Sequence, residues 1–262
     1  MKKRPAGSGL LYGVNPLLES LRAGDRAPAE IVIAEGARDE RLRQLIELAR
    51  TRNVSVKRVP RAVLDRAVGS THHQGVMARV AAAQYIDAEE LLSSIASHVG
   101  REAGPLVLVL DGIEDPRNLG AILRTAECAG VDGVFIPERR AAGLNETVAK
   151  ASAGAVEYMP VARVTNLSHL IEQLKERNVW VVGTAADAPM NYTEWDWTRP
   201  AAVALGGEGA GLHRLVRERC DALVRIAVRG KIESLNVSVA TGIILYEALR
   251  QRKIKASENR ET

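Results

Sequence analysis

Aromatic residues are scarce in this chain of 262 residues: Phe, Trp and Tyr together make up 3% of it, and Phe135 is the single phenylalanine. Apolar residues as a whole still reach 46%. The core must therefore be aliphatic, built from Val, Leu, Ile and Ala. A chain of this length can bury a substantial core, in one large domain or two small ones.

Cysteine is scarce as well, which excludes a disulfide-rich secreted scaffold. The two cysteines, Cys128 and Cys220, form no C-x-x-C pair and have no histidine close to them in the sequence, so neither a redox pair nor a metal site is predicted. Both fall in helical patterns. We expect two reduced, buried core thiols in a cytoplasmic protein without a bound metal.

Long apolar runs are missing too. No run approaches the roughly 18 residues that a membrane-spanning helix requires. Residues 1–7 lack the apolar stretch of a signal peptide. We therefore expect a soluble, unexported protein with no membrane partner.

Charge is present in both signs but is unevenly distributed. Residues 1–80 contain 15 lysines and arginines against 8 acidic residues, a net charge of +7, whereas the remaining residues have a net charge of −3. Basic side chains gain affinity for nucleic acids by releasing condensed counterions, although solvated surface charge is the simpler alternative. The size of the difference favours an RNA partner for the N-terminal part.

A glycine-rich loop at residues 205–212 reads Leu-Gly-Gly-Glu-Gly-Ala-Gly-Leu and contains one carboxylate, Glu208. Glycine lets a ligand approach the backbone closely because it has no Cβ; an ordinary strand-to-helix turn is the alternative. The loop is not a dinucleotide fingerprint, since Leu212 stands where glycine is required. It is not a P-loop either, since no Gly-Lys-Ser/Thr follows.

Two further polar runs accompany this loop. Ser234-Leu235-Asn236-Val237-Ser238 precedes an apolar helical pattern at 237–249, for which Ser234 or Asn236 could be the N-cap. Residues 111–126 read Asp-Gly-Ile-Glu-Asp-Pro-Arg-Asn-Leu-Gly-Ala-Ile-Leu-Arg-Thr-Ala. None of the three runs contains an obvious histidine base.

Together, and in this order and spacing, the three runs resemble the motifs of the SpoU/TrmH-type branch of the SPOUT RNA methyltransferases. Residues 12–21, Tyr-Gly-Val-Asn-Pro-Leu-Leu-Glu-Ser-Leu, and residues 73–76, His-Gln-Gly-Val, are most similar to the rRNA guanosine 2′-O-methyltransferases of that family. The resemblance implies an α/β fold: an L30e-like N-terminal domain, then a parallel-sheet domain with a deep C-terminal trefoil knot. Periodicity alone does not predict the knot.

The resemblance also implies a methyl donor, S-adenosylmethionine (AdoMet), and a homodimer formed through the catalytic domain that acts on large-subunit rRNA. The implied cofactor-binding residues are Gly206, Gly207, Ile226 and Leu235. The implied catalytic residues are Arg124, Asn118, Glu208, Ser234 and Asn236. Arg117 and Lys231 lie in the same loops and are candidate phosphate contacts.

Two roles are open for Arg124. The family is usually described with this arginine as the base, but guanidinium groups stay protonated in proteins and are poor bases. The alternative is a cation that clamps a phosphate and stabilises the developing alkoxide while water takes the proton, which we favour. Asn118 either orients Arg124 or the ribose, or merely caps its helix.

The predicted organisation has five parts: a disordered basic arm (1–9), an L30e-like RNA-binding domain (10–83), a linker (84–105), the methyltransferase domain (106–252) and a charged, frayed tail (253–262). Within 84–105 we expect a short amphipathic helix and then a flexible joint. His72 and His73 either contact RNA or hold a turn, and the turn is favoured.

Periodicity predicts helices at 16–22, 39–52, 62–68, 119–129, 145–153, 167–177 and 237–249, and strands at 31–34, 54–59, 76–82, 106–110, 133–136, 158–161, 180–184, 201–205 and 223–228.

Two other functions fit parts of this pattern. A tRNA 2′-O-methyltransferase would share the catalytic domain, but the separate basic N-terminal domain favours rRNA. A non-catalytic RNA-binding or ribosome-assembly protein could keep the fold, but it would have no need of the polar residues in the three runs. The sequence does not identify the target nucleotide, because bases are read by contacts that have no simple code.

Overall fold

The computed structural model describes residues 8–24, 26–37 and 39–261. The chain divides into two compact units, one of residues 1–84 with 143–158 and one of residues 85–142 with 159–262. Residues 1–7 of the predicted basic arm lie outside the described residues. Ser8 and Gly9, its last two residues, begin a strand instead.

The first unit is built around a four-stranded sheet. Its elements up to residue 84 are β1 (Ser8–Tyr12), α1 (Val14–Ala23), β2 (Glu30–Ala34), α2 (Glu40–Thr51), β3 (Ser55–Val59), α3 (Arg61–Val68) and β4 (Val76–Ala81). The strand order is β1-β4-β2-β3, with β2 and β3 parallel and the other pairs antiparallel. His73 is fully buried, with Nε2 2.8 Å from Asp65 Oδ1 and Nδ1 accepting from the Gly75 N–H, so the turn-holding role is confirmed for this histidine.

The rest of the chain alternates helices and strands. In chain order the elements are α4 (Ala88–His98), β5 (Leu106–Asp111), α5 (Pro116–Cys128), β6 (Gly133–Pro137), α6 (Glu146–Ala151), a 3-10 helix at Ala155–Glu157, β7 (Val161–Val164), α7 (Leu167–Glu176), β8 (Trp180–Thr184), β9 (Met190–Asn191), β10 (Ala201–Gly206), α8 (Arg214–Arg219), β11 (Ala222–Arg225) and α9 (Val237–Glu261). No helix within the described residues is both long and apolar enough to cross a membrane.

A seven-stranded parallel sheet forms the centre of the second unit. Its order is β7-β6-β5-β10-β8-β11-β9, and every neighbouring pair is parallel. All six residues of β5 are buried, as its continuous apolar run predicts for a strand covered on both faces. The predicted α/β class with a parallel sheet is confirmed, and the trefoil knot stays a prediction.

Residues 143–158 belong to the first unit, although the chain before and after them belongs to the second. Arg26 and Glu157 form an ion pair of 2.7 Å with side chains that are 12% and 2% exposed, and the Tyr158 hydroxyl donates to Glu19 Oε2 at 2.8 Å. These contacts explain why the strand predicted at 158–161 is wrong. Tyr158 is hydrogen-bonded within the first unit and cannot join the parallel sheet, so β7 begins only at Val161.

Two other predicted segments differ from the structure. The helix predicted at 237–249 continues to Glu261, so the tail at 253–262 is helical over its described residues and not frayed. Arg252 explains this order, because its guanidinium donates to the backbone carbonyls of Gly104, Pro105, Trp197 and Arg199. The strand predicted at 223–228 ends early, at Arg225.

The cysteine prediction is only partly right. Cys220 is partly buried, and burial raises the pKa of its thiol to about 12, which keeps it protonated and unreactive. Cys128 is exposed near the end of α5 and is not a core residue.

The segment predicted as a linker, residues 84–105, contains a core helix. Asp87 caps α4 by accepting from the N–H groups of Glu89 and Glu90. Leu91, Leu92 and Ile95 are almost fully buried in the same cluster as residues of β5 and β6. The structure therefore assigns α4 to the second unit, where it covers one face of the sheet.

Replacing Ile95 with alanine is expected to destabilise the protein by about 2–5 kcal/mol, because it removes a fully buried side chain and leaves a cavity. Urea unfolding measures the loss. Ser93→Ala, on the exposed face of the same helix, is the matched control and should change stability by less than about 0.5 kcal/mol. Equal stability of the two variants would mean that α4 behaves as a linker after all.

Candidate active site

The site lies at the carboxyl ends of β10, the central strand of the sheet, and of its neighbour β5. These strands are in register, so that Asp111 and Gly206 stand side by side at the sheet edge. In open parallel sheets, ligands bind outside the carboxyl ends of the strands, where neighbouring connections diverge. The loop after β5 leads into α5, and the loop after β10 is the glycine-rich run.

The glycine loop is folded tightly on its own backbone and on the β5 loop. The Gly207 N–H donates to the Asp111 carbonyl at 2.7 Å, and the Gly211 N–H donates to the Gly207 carbonyl at 3.1 Å. A Cβ on Gly206 would lie 2.0 Å from the Gly211 carbonyl carbon, and one on Gly207 would lie 2.2 Å from the Gly112 carbonyl oxygen. Both positions therefore require glycine.

Three of the predicted catalytic residues meet in one hydrogen-bond network. Glu208 Oε1 accepts from Asn118 Nδ2 and from Asn236 Nδ2, each at 2.8 Å, and Asn236 Nδ2 also lies 3.0 Å from Asn118 Oδ1. Asn118 is 90 residues from Glu208 in the chain. Each of the three sequence runs thus contributes one member, and we call this set the amide–carboxylate network.

The helix caps explain the roles of the two network amides, Asn236 and Asn118. Asn236 caps α9 through Oδ1, which accepts from the Ser238 N–H at 2.9 Å, so its Nδ2 must face the network. The N-cap of α5 is Asp115, which accepts from the Arg117 N–H at 2.7 Å. Asn118 is therefore not a cap, and its whole side chain is available to the site.

Two cavities meet at the glycine loop, with volumes of about 470 Å³ and 480 Å³. Gly207, Glu208, Ala210, Gly211 and Val237 line both of them. The cavity of about 480 Å³ is lined by all four predicted cofactor residues, Gly206, Gly207, Ile226 and Leu235, and by a second predicted catalytic residue besides Glu208, namely Ser234. We call it the cofactor cavity and call the other, which Asn118 lines, the acceptor cavity.

An ion pair lines the cofactor cavity. Arg217 Nη2 lies 2.9 Å from Asp187 Oδ2. The hydrogen bond between them raises the pKa of Arg217 and lowers the pKa of Asp187, so both groups stay charged near neutral pH. Within the described residues, no group of three or more His, Cys, Asp or Glu side chains could hold a metal ion.

Three predicted site residues, all cations, line neither cavity. Arg124 is exposed on α5, and it makes no hydrogen bond or ion pair with any residue that the structure describes. Arg117 is exposed in the first turn of α5, and Lys231 is exposed in the loop before α9. Any role for these three cations therefore lies at the surface of the site.

Sequence reasoning missed one pair at this sheet edge, Asp111 and His213. Asp111 is 4% exposed, and both of its carboxylate oxygens contact His213: Oδ2 accepts from the backbone N–H at 2.7 Å, and Oδ1 lies 2.8 Å from ring Nδ1. His213 follows the glycine loop directly and lines the acceptor cavity. A carboxylate closing a central apolar strand was the available signal, because strand ends are where ligands bind.

Comparison with known proteins agrees with this geometry. Residues 105–246 match the sequence profile of the SpoU rRNA Methylase family, and residues 10–86 match the profile described as RNA 2′-O ribose methyltransferase substrate binding. The chain is 45% identical to a 23S rRNA (guanosine-2′-O-)-methyltransferase RlmB of Xanthomonas campestris, over 92% of this chain and 96% of that one. The RlmB of Shewanella oneidensis is 42% identical over 93% and 98%.

A solved structure is similar over almost the whole chain. It is the SpoU methyltransferase AviRb from Streptomyces viridochromogenes in complex with the cofactor AdoMet, with a TM-score of 0.76 and 26% identity over 95% of this chain and 92% of that one. The matched profile spans more than half of the sequence and includes all three motif runs. This protein therefore belongs to the SpoU rRNA methylase family.

Proposed function

We propose that the protein transfers a methyl group from AdoMet to the ribose 2′-oxygen of a guanosine in large-subunit rRNA. The observation that carries the proposal is the meeting of the two cavities at the glycine loop, where Glu208 lines both. A donor in one cavity and a ribose in the other would face each other across the amide–carboxylate network. The choice of a guanosine in 23S rRNA is supported by the relatives named for that reaction.

The cofactor cavity suits AdoMet in size and chemistry. Ile226, Val228 and Leu235 offer apolar walls for an adenine, and the backbone of Gly206 and Gly207 offers polar groups at close range. Bound AdoMet would supply an electrophilic methyl group on a sulfonium centre. Ser234 would add a hydroxyl to the wall that carries Leu235.

The amide–carboxylate network would position the ribose. Asn118, Glu208 and Asn236 are already held by one another, so they need no reorganisation when the substrate arrives. Such pre-ordered polar groups lower a barrier more than flexible ones do. We assign to these three side chains the orientation of the hydroxyl that accepts the methyl group.

Three surface cations would hold the RNA backbone. Arg124 is exposed, so its charge is available to a phosphate next to the target ribose and to the developing alkoxide. This supports the clamp over the base for Arg124. Arg117 and Lys231 would contact phosphates further along the strand.

The first unit would bind the RNA substrate without taking part in the chemistry. Residues 1–80 have a net charge of +7, and residues 10–86 match a substrate-binding profile. We propose that the part predicted as an L30e-like domain, residues 10–83, selects the rRNA. An enzyme with this substrate would work in the cytoplasm, where ribosomes are assembled.

We also propose that the enzyme is a homodimer through α9. Val239 and Tyr246 on this helix are 52% and 53% exposed. They lie seven residues apart and therefore on one face of the helix. Together they form an exposed apolar face that a second copy of α9 would cover.

Unmodified transcripts of large-subunit rRNA and of tRNA test the substrate. The protein is incubated with each transcript and radiolabelled AdoMet, and any 2′-O-methyl group is mapped by its resistance to alkaline cleavage. We expect label at one guanosine of the rRNA and none on tRNA. Label on tRNA alone would reassign the substrate. AdoMet binding without label on either transcript would point to an assembly intermediate as substrate, and no AdoMet binding would leave a non-catalytic RNA-binding protein.

A further inference from the structure

We infer that Arg140 reads the base of the target nucleotide, by donating to O6 and N7 of a guanine held in the acceptor cavity. The inference rests on the proposed methyl transfer and names the residue that decides which nucleotide is accepted. The amide–carboxylate network is assigned to the ribose, and the ribose is the same in every nucleotide. Discrimination between bases therefore needs a further group that contacts an edge of the base.

The strand order places Arg140 beyond the network, on the side away from the cofactor cavity. Arg140 follows β6, the network lies at the ends of β5 and β10, and the cofactor cavity extends to β8 and β11 through Thr184 and Val224. Neighbouring strands are about 4.8 Å apart, so β6 and β10 are separated by about 10 Å. A nucleotide whose ribose lies at the network, with its 2′-oxygen towards the cofactor, would extend its base along the sheet edge towards β6.

The main chain around Arg140 is held in place by the loop after β5. The Ala142 N–H donates to the Ile113 carbonyl at 2.8 Å, and both residues are buried. Arg140 has a φ of 55°, in the left-handed region that is uncommon for residues other than glycine. Such conformations persist where the surrounding structure imposes them, and they cluster at functional sites. The exposed guanidinium is therefore attached to a loop of defined shape.

A guanidinium group matches guanine better than it matches the other bases. Two N–H groups of an arginine fit O6 and N7 of guanine, which are both acceptors on one edge. Adenine has an amino group beside its N7, so an arginine there would place a donor against a donor. Among the described residues that line the acceptor cavity, Arg140 is the only arginine or lysine. It is therefore the residue that can make this contact.

The charges of the acceptor cavity favour a base over a phosphate as the partner of Arg140. Four carboxylates line the cavity together with this arginine: Asp111, Glu114, Asp115 and Glu208. Their excess of negative charge repels a phosphate. A guanine is neutral, and its N1–H and 2-amino groups can donate to a carboxylate. The lining therefore suits the base and not the backbone of the RNA.

Large-subunit rRNA transcripts with one changed base test the inference. The guanosine at the mapped methylation position is replaced by adenosine or by 7-deazaguanosine, which lacks the N7 acceptor, and single-turnover methylation is measured at saturating RNA and AdoMet. For the wild type we expect adenosine to be methylated about 5- to 100-fold more slowly than guanosine, the usual effect of losing one bidentate base contact. The 7-deazaguanosine transcript should also be methylated more slowly than the guanosine transcript.

Arg140→Ala should bring the ratio of the guanosine rate to the adenosine rate close to one and should make the enzyme insensitive to 7-deazaguanosine. Arg140→Lys should restore part of the ratio, because a lysine can also donate to this edge of guanine. Arg139→Ala is the matched control and should keep the wild-type ratio, since Arg139 lines a neighbouring cavity of about 240 Å³ and not the acceptor cavity. Unchanged AdoMet affinity in titration calorimetry would show that each variant is folded, since Arg140 does not line the cofactor cavity.

Either of two results with Arg140→Ala would overturn the inference: an unchanged ratio of rates, or a loss of rate by the same factor on every transcript, which is the effect expected of a phosphate contact. A wild-type enzyme that methylates guanosine and adenosine equally well would overturn it too. In all three cases the methylation of rRNA would leave the proposed methyl transfer intact. A wild-type enzyme that methylates no RNA would instead refute the proposed function itself.

Discussion

Alanine at Gly206 is expected to abolish measurable AdoMet binding. The added Cβ would lie 2.0 Å from the carbonyl carbon of Gly211 and 2.2 Å from the backbone nitrogen of Leu212. These are backbone atoms, so no side chain can move aside, and the loop must open. Overpacking of this kind costs about 1–3 kcal/mol even where side chains can adjust. We therefore expect AdoMet binding to weaken by at least about 100-fold, as measured by titration calorimetry.

Gly209→Ala is the matched control in the same loop. No atom lies within 4 Å of a Cβ at Gly209, and only its φ of 94° is unfavourable. This strain costs on the order of 1 kcal/mol, so AdoMet binding should weaken by about tenfold or less. Equal affinities of the two variants would show that the cofactor does not depend on the close packing at Gly206.

Replacing Arg124 with alanine is expected to slow methyl transfer by about 100- to 1000-fold, the usual effect of removing one group that stabilises charge in the transition state. AdoMet affinity should not change, because Arg124 does not line the cofactor cavity. Stability should change by less than about 0.5 kcal/mol, because the side chain is exposed and has no partner among the described residues. Single-turnover rates on the rRNA transcript and thermal unfolding measure the two effects.

A charge-retaining variant and a control accompany this prediction. Arg124→Lys keeps a positive charge and should retain more of the activity than Arg124→Ala does, although a lysine makes a less specific phosphate contact. Arg101→Ala removes another exposed arginine of the second unit and should leave the rate unchanged. A rate for Arg124→Ala close to that of Arg101→Ala would remove this residue from the mechanism.

Local chemistry was sufficient to predict one part of the candidate site, the glycine loop, and the family resemblance implied the other residues. The glycine loop was recognised because glycine permits backbone approach, and the structure shows contacts at Gly206 and Gly207 that no larger residue would allow. The choice between an N-cap and a site residue for Asn236 could not be made from sequence. The structure gives it both roles, since its amide oxygen caps α9 and its amide nitrogen joins the network.

Errors arose where a segment owes its structure to distant residues. The acidic, small-residue composition of 84–105 suggested a joint. Leu91, Leu92 and Ile95 instead belong to the core of the parallel sheet, all of whose strands follow this segment in the sequence. The charged C-terminus suggested fraying, yet Arg252 ties α9 to carbonyls as far away as Gly104. In both cases tertiary contacts outweigh a weak local preference.

The sequence by itself determined the alternation of strands and helices, the parallel-sheet class and the glycine loop, because these depend on periodicity and residue type. Its resemblance to a known family, not periodicity, implied that Asn118, Glu208 and Asn236 belong to one site. Only the tertiary structure decided that Asp111 and His213 form a pair. They are 102 residues apart. Their contact follows from the register of β5 beside β10, which no local pattern encodes.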